Sequence, residues 1–104
     1  MASSKPVDVS IIVCTLNEEK NIVGCLKALR DQDFKGNYEI IVADGNSDDN
    51  TVKLAKPLAD EIVVEKQRSI AFERQAGAKL ARGKIIAFTD ADSKAPNDWV
   101  RHIK

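Results

Sequence analysis

The chain has no surplus of either charge. Sixteen basic and sixteen acidic residues cancel, and no basic run stands out, so composition lends nucleic acid no support as the main partner. Cysteine is nearly absent. Cys14 and Cys25 are the only two, with neither CxxC spacing nor a His/Cys cluster, which argues against zinc. Both fall among apolar residues and read as small buried hydrophobes in a reducing compartment. No run approaches the roughly 20 apolar residues that span a bilayer, and MASSKPVD lacks the apolar centre of a signal peptide. Repeats, linkers and low-complexity tracts are missing too. These absences lead to the expectation of a cytoplasmic chain with a disordered or tag-like lead-in over residues 1–6 and one domain over 7–104. The 104 residues are 43% hydrophobic, enough for a core. The stop after His102-Ile103-Lys104 is expected to be a cut within a longer protein.

Four short runs rich in β-branched residues predict strands: Val9–Cys14, Glu39–Ala43, Glu61–Val64 and Lys84–Thr89. Helical spacing separates them. Ile22, Leu26 and Leu29 recur at helical intervals behind Glu18 and Glu19, which favour a helix N-terminus. Ser47-Asp48-Asp49-Asn50 offers capping residues before Val52, Leu54, Ala55 and Leu58, with Pro57 set to end that helix. A third helix is predicted from Ser69 to Ala81 with Gly83 as its C-cap, and a fourth opening at Pro96. Alternation of β and α predicts an α/β fold, a Rossmann-like three-layer α/β/α arrangement on a mainly parallel four-stranded sheet covered on both faces. Such a sheet binds ligands beyond the carboxyl ends of its strands. Three acidic loops should meet at that rim: Thr15-Leu16-Asn17-Glu18, Asp44-Gly45-Asn46-Ser47 and Asp90-Ala91-Asp92-Ser93. If the sheet ends where the chain does, its open edge allows self-association.

Asp90 and Asp92 flank Ala91 directly after an apolar strand, so both carboxylates can lie to one side. Close carboxylates repel and attract a cation; Mg²⁺ or Mn²⁺ takes oxygen ligands and shares them with substrate phosphates. Asp31-Gln32-Asp33 has the same spacing but follows a helix, and reads as solvated surface. Asp44 can accept from a nucleobase N–H or a ribose hydroxyl, against the plainer role of supporting its turn. Ser47 and Asp49 read as caps and Thr51 as a first-turn residue. Arg68 and Arg74 suit a diphosphate or nucleoside. Arg82 and Lys84 read as solvent-facing charges, Trp99 as a packing residue, and the lone His102 as surface or packing.

Val9-Ser10-Ile11-Ile12-Val13-Cys14-Thr15-Leu16-Asn17-Glu18 resembles the opening strand and T-x-N-E loop of family 2 glycosyltransferases of the GT-A fold. Cys14 stands for a usual proline and Leu16 for a common aromatic. Ile41 to Thr51 is similar to the family's V-D-(D/G)-x-S-x-D-x-T stretch, and Gly83 to Asp92 to its G-x-x-I-x-f-x-D-x-D block. The order and spacing of the three are more specific than any one alone, and they cover the chain from Val7 onward. The resemblance implies the nucleotide-sugar-binding, N-terminal part of an inverting, divalent-metal-dependent enzyme. Thr15, Leu16 and Glu18 would line the nucleoside pocket, and Asp44 would hydrogen-bond the base, commonly uracil. Arg68 would approach base or diphosphate with Arg74 in the same region, beside Gln75 in place of a frequent asparagine. Asp90 would contact ribose or the metal shell, and Asp92 would hold Mg²⁺ or Mn²⁺. The donor would be a UDP- or GDP-linked sugar and the acceptor a glycan, lipid or other small molecule. The general base of this family comes from later in the chain, so no catalytic residue is expected within these 104 residues, and the piece alone is expected to be inactive. Acceptor recognition and any membrane attachment would belong to the absent part. Two alternatives remain open: a haloacid-dehalogenase-like phosphotransferase with Asp90 as nucleophile, and a noncatalytic, receiver-like nucleotide-binding module.

Overall fold

A computed structural model describes residues 6–103; most of the expected lead-in at residues 1–6 lies outside them. The elements run β1 (Val9–Thr15), α1 (Ile22–Arg30), β2 (Tyr38–Asp44), α2 (Thr51–Ala55), β3 (Glu61–Val64), α3 (Ile70–Leu80), β4 (Ile85–Asp90) and α4 (Trp99–Ile103). All pairings are parallel, in the order β3-β2-β1-β4. β1 and β2 are therefore central, which is why they are the two strands with near-continuous apolar sequence. Thr15 is level with Asp44, and Cys14 with Asp90. The carboxyl ends of three strands thus finish together.

The two faces are unequal. Val9, Ile11, Val13, Ile40 and Val42 point to one side and meet Ile22, Cys25, Leu26 and Leu29 of α1, Ala55 of α2 and Val100 of α4. Each such aliphatic side chain contributes on the order of 1.5–3 kcal/mol by leaving water. Ile12, Cys14, Ile41 and Ala43 point to the other side, where α3 provides the cover. Gly77 lets α3 approach: a Cβ there would stand 2.6 Å from Ile12 Cγ2. Cover on both faces holds for the central strands but not for β4. There Ile86 and Phe88 are each 42% exposed, because α3, which covers that face among the described residues, packs chiefly over β1, β2 and β3.

Arg82 is not the free surface charge its sequence context suggests. Its guanidinium meets the buried Glu39 carboxylate at 3.1 Å. Glu39 Oε2 also accepts from the Ser10 hydroxyl at 2.6 Å and the Arg82 N–H at 2.8 Å. A carboxylate inside a strand is tolerable only when so partnered, and the partners come from elements far apart in sequence. Gly83 is likewise no helix cap, since α3 ends at Leu80 with Ala81 as its C-cap. Gly83 N–H donates to Ser10 Oγ at 2.7 Å, and a Cβ at 83 would fall 2.5 Å from the Ser10 nitrogen. Replacing Glu39 with Ala should destabilise the chain by about 2 kcal/mol, by orphaning the buried Ser10 hydroxyl and the Arg82 N–H while Arg82 itself rehydrates. A lower urea midpoint at unchanged m-value would report that loss.

Candidate functional site

The rim is built by cross-bracing between the loops after β1 and β2. Asn17 and Asn46 take left-handed backbone conformations, φ 55° and 64°, which asparagine accepts more readily than most residues. Ser47 Oγ accepts from Asn17 N–H at 2.8 Å, Thr51 Oγ1 from Glu18 N–H at 2.8 Å, and Asn17 Oδ1 from Asp48 N–H at 2.8 Å. Ser47 is thus a strut between loops and not a helix cap. Asp49 does serve the start of α2, accepting from the Thr51 N–H at 3.0 Å and from its hydroxyl, and it also takes the Glu19 N–H at 3.3 Å. Those hydrogen bonds hold the Asp49 carboxyl below its ordinary range, the Thr51 hydroxyl contributing most.

Asp44 lies beneath this lattice and is fully buried. Its Oδ1 accepts from Thr15 Oγ1 at 2.6 Å and Ser47 Oγ at 2.6 Å; its Oδ2 accepts from Ser47 N–H at 2.7 Å. The carboxylate expected to meet a nucleobase is therefore engaged inside the chain, as is the Thr15 hydroxyl. Leu16 and Asn17 are exposed above them, with Glu18 half-buried and accepting from Asn21 Nδ2 at 3.1 Å.

Asp90 and Asp92 are the opposite case. Both are exposed around the buried Ala91, and neither carboxylate hydrogen-bonds or ion-pairs with a described residue. The two cysteines report which charges stand near. Burial pushes the Cys25 thiol up to about 11, and the carboxylates of Asp92, Glu18 and Asp90 add to the effect. Burial likewise pushes Cys14 to about 11, raised further by Glu73 and Asp90 and opposed by Arg74. Both cysteines stay protonated and inert at neutral pH, as their apolar settings imply. Cys25 Sγ of α1 also donates to the Asp90 carbonyl oxygen at 3.6 Å, which holds the Asp90–Asp92 turn against α1.

Two unpaired, exposed carboxylates suit a hard divalent cation that keeps open positions for phosphate and water. No group of three or more His, Cys, Asp or Glu among the described residues could form a closed cage. Asp31 and Asp33, the other D-x-D, sit past the far end of α1, where Asp33 pairs with Arg101 at 3.2 Å. Arg68 bridges the β2 loop, donating to Asn46 O at 2.7 Å and Asp48 Oδ2 at 2.8 Å. Arg74 lies over the Phe88 ring, 5.4 Å from its centroid. His102, read as lacking an orienting partner, meets Asp98 Oδ2 at 3.2 Å, four residues earlier and just ahead of α4.

Residues 10–103 match the model of "Glycosyl transferase family 2". The chain belongs to that family. It is 33% identical over 107 residues to the glycosyltransferase AglE of Haloferax volcanii, covering 96% of this chain and 35% of that protein. It is 32% identical to a dolichyl N-acetyl-α-D-glucosaminyl phosphate diacetamido-dideoxy-glucuronosyltransferase of Methanococcus voltae, covering 90% and 32%. Among solved structures, S. aureus TarS 1–349 in complex with UDP-GlcNAc superposes with a TM-score of 0.83 at 27% identity, covering 93% of this chain and 30% of that one. The mannosyltransferase PcManGT from Pyrobaculum calidifontis, in complex with GDP-Man and Mn²⁺, gives 0.78 at 28% identity, with coverage of 89% and 30%. The chain thus spans about a third of the length of these relatives. No helix among its described residues is long and apolar enough to cross a membrane.

Proposed function

We propose that this chain is the donor-binding part of an inverting glycosyltransferase that uses a UDP- or GDP-linked sugar. The observation that carries this reading is the contrast at the rim. Every side-chain oxygen of Asp44 and Thr15 is engaged within the protein, while those of Asp90 and Asp92 are exposed and pair with no described residue. The sugar nucleotides and Mn²⁺ held by relatives of the same fold support it. Asp92 and Asp90 would hold Mg²⁺ or Mn²⁺, with Asp90 also facing ribose. A divalent ion there supplies Lewis-acid stabilisation to a departing diphosphate. Leu16 and Glu18 would line the nucleoside pocket, with Thr15 and Asp44 fixing the loop geometry from below. Arg68 would leave Asp48 for the base or a phosphate, an inexpensive exchange for a surface pair, and Arg74 would serve the same region. The acceptor hydroxyl needs a base within hydrogen-bond reach. We place that base outside these 104 residues, so the isolated chain binds donor without turning it over.

The test is an NMR titration of the chain with UDP and with GDP, each with and without Mn²⁺. Paramagnetic broadening should centre on Asp90–Asp92 and reach the Leu16–Glu18 loop. Broadening centred on Asp31–Asp33, or none, would sink the proposal, and steady-state sugar transfer by the chain alone would refute the placement of the base.

A further inference from the structure

One carboxylate at the rim remains without a role. Glu73, in the first turn of α3, is only 5% exposed, yet its side chain forms no hydrogen bond or ion pair with any described residue. No buried side-chain oxygen among those residues lacks a partner, so the carboxylate must keep its opening to solvent. Its stem is enclosed and its head looks out. The head lies against Gly45: a Cβ there would stand 2.7 Å from Glu73 Oε2 and 3.5 Å from the Thr15 carbonyl oxygen. Gly45 N–H in turn donates to that carbonyl at 2.8 Å. Glu73 therefore occupies the seam between the β1 and β2 loops, in the space a side chain at 45 would take. Burial, and then the Asp44 charge, raise its pKa. Such a group costs stability and satisfies nothing within the fold, and carboxylates so placed mark ligand sites.

Its position along the rim indicates which part of a ligand it meets. Asp90 and Asp92 follow β4 at one edge of the sheet, whereas Glu73 stands at the seam between the loops after β1 and β2, further along the rim. If the diphosphate is at Asp92 and the ribose at Asp90, as proposed above, the nucleobase falls at the Glu73 end. We propose that Glu73 is a specificity-determining residue for the base, accepting the ring N–H that uracil (N3–H) and guanine (N1–H) share and that cytosine and adenine lack at those positions. A phosphate is excluded there by charge. The proposal rests on the donor-binding reading.

The experiment compares UDP with CDP, and GDP with ADP, binding in the presence of Mn²⁺, for the unchanged chain, Glu73→Ala and Glu73→Gln. The unchanged chain should favour UDP over CDP or GDP over ADP by about tenfold, the worth of a hydrogen bond to a charged group. Glu73→Ala should erase that preference, yet melt no lower than the parent, because it removes an unpaired carboxylate beside Asp44. Glu73→Gln should level the preference as well, because an amide has both a donor and an acceptor and turns over to serve cytosine N3 and N4–H, or adenine N1 and N6–H, as well as it serves uracil or guanine. A UDP preference in the unchanged chain assigns uracil, and a GDP preference assigns guanine. An unaltered preference in Glu73→Ala, or an equal weakening for all four nucleotides as a ribose contact would give, overturns the role of Glu73 alone. Failure of the unchanged chain to bind any nucleotide overturns this proposal together with the donor-binding reading.

Discussion

Replacing Asp92 with Asn should abolish the contribution of Mn²⁺ to nucleotide binding while leaving the fold intact. The Asp92 carboxylate has no partner among the described residues, so its loss breaks no contact with them, and the amide is isosteric. The negative charge of Asp90 should then lose a like-charged neighbour, and thermal stability should stay level or rise. Binding should change far more. A divalent ion held by Asp90 and Asp92 would contribute several kcal/mol to binding a diphosphate, so losing one anionic ligand should weaken Mn²⁺-dependent UDP or GDP affinity on the order of a hundredfold. Calorimetry with and without Mn²⁺ separates the two effects. Residual metal-free binding should be the same in parent and variant. An Mn²⁺ enhancement that survives in Asp92→Asn would remove this residue from the metal site, and the same enhancement surviving in Asp31→Asn is the expected control.

Asp44 should behave in the reverse manner, with stability leading and binding following. Its carboxylate is the shared acceptor of the Thr15 hydroxyl, the Ser47 hydroxyl and the Ser47 N–H, at 2.6–2.7 Å. Truncation to Ala strands these donors, Thr15 being buried almost completely. The expected cost is about 3 kcal/mol, since each buried donor loses its partner in a region closed to water. Asp44→Asn keeps one acceptor oxygen and should cost about half as much. The braid between the β1 and β2 loops runs through Ser47 to Asn17, so hydrogen exchange of Ser47 and Asn17 amides should accelerate in Asp44→Ala while β1 and β2 core amides change only with global stability. Nucleotide binding should weaken for every base alike, because the loops lose their shape and no single base contact is removed. A loss confined to one nucleobase would show that Asp44 touches the base directly.

Element type was legible because each segment had one periodicity and clear punctuation. The predicted Ser69–Ala81 helix and the observed Ile70–Leu80 differ only by the two capping positions, and the strand Glu61–Val64 coincides with the prediction. The weakest segments were those in which capping residues had other employment. The last helix begins at Trp99 and not at Pro96, Pro96 instead supplying the carbonyl of the preceding turn. At the site, the sequence pointed to the rim through three acidic loops that each follow an apolar strand. It could not rank those acids, since Asp44 and Asp90 both follow apolar strands. Glu73 gave no signal, because a glutamate in a helix first turn is what the helix dipole favours anyway.

By itself the sequence determined the alternation of strands and helices, the parallel sheet and the rim on which polar residues gather. Those properties follow from hydrophobic periodicity and chain direction, which are local. Only the tertiary structure decided which carboxylates are free. Asp44 is closed off by Thr15 and Ser47, Glu39 by Ser10 and Arg82, whereas Asp90 and Asp92 reach solvent without a partner among the described residues and Glu73 faces a glycine. The state of a carboxylate depends on donors brought to it from residues as many as 68 positions away, and that assignment exists only once the chain has folded.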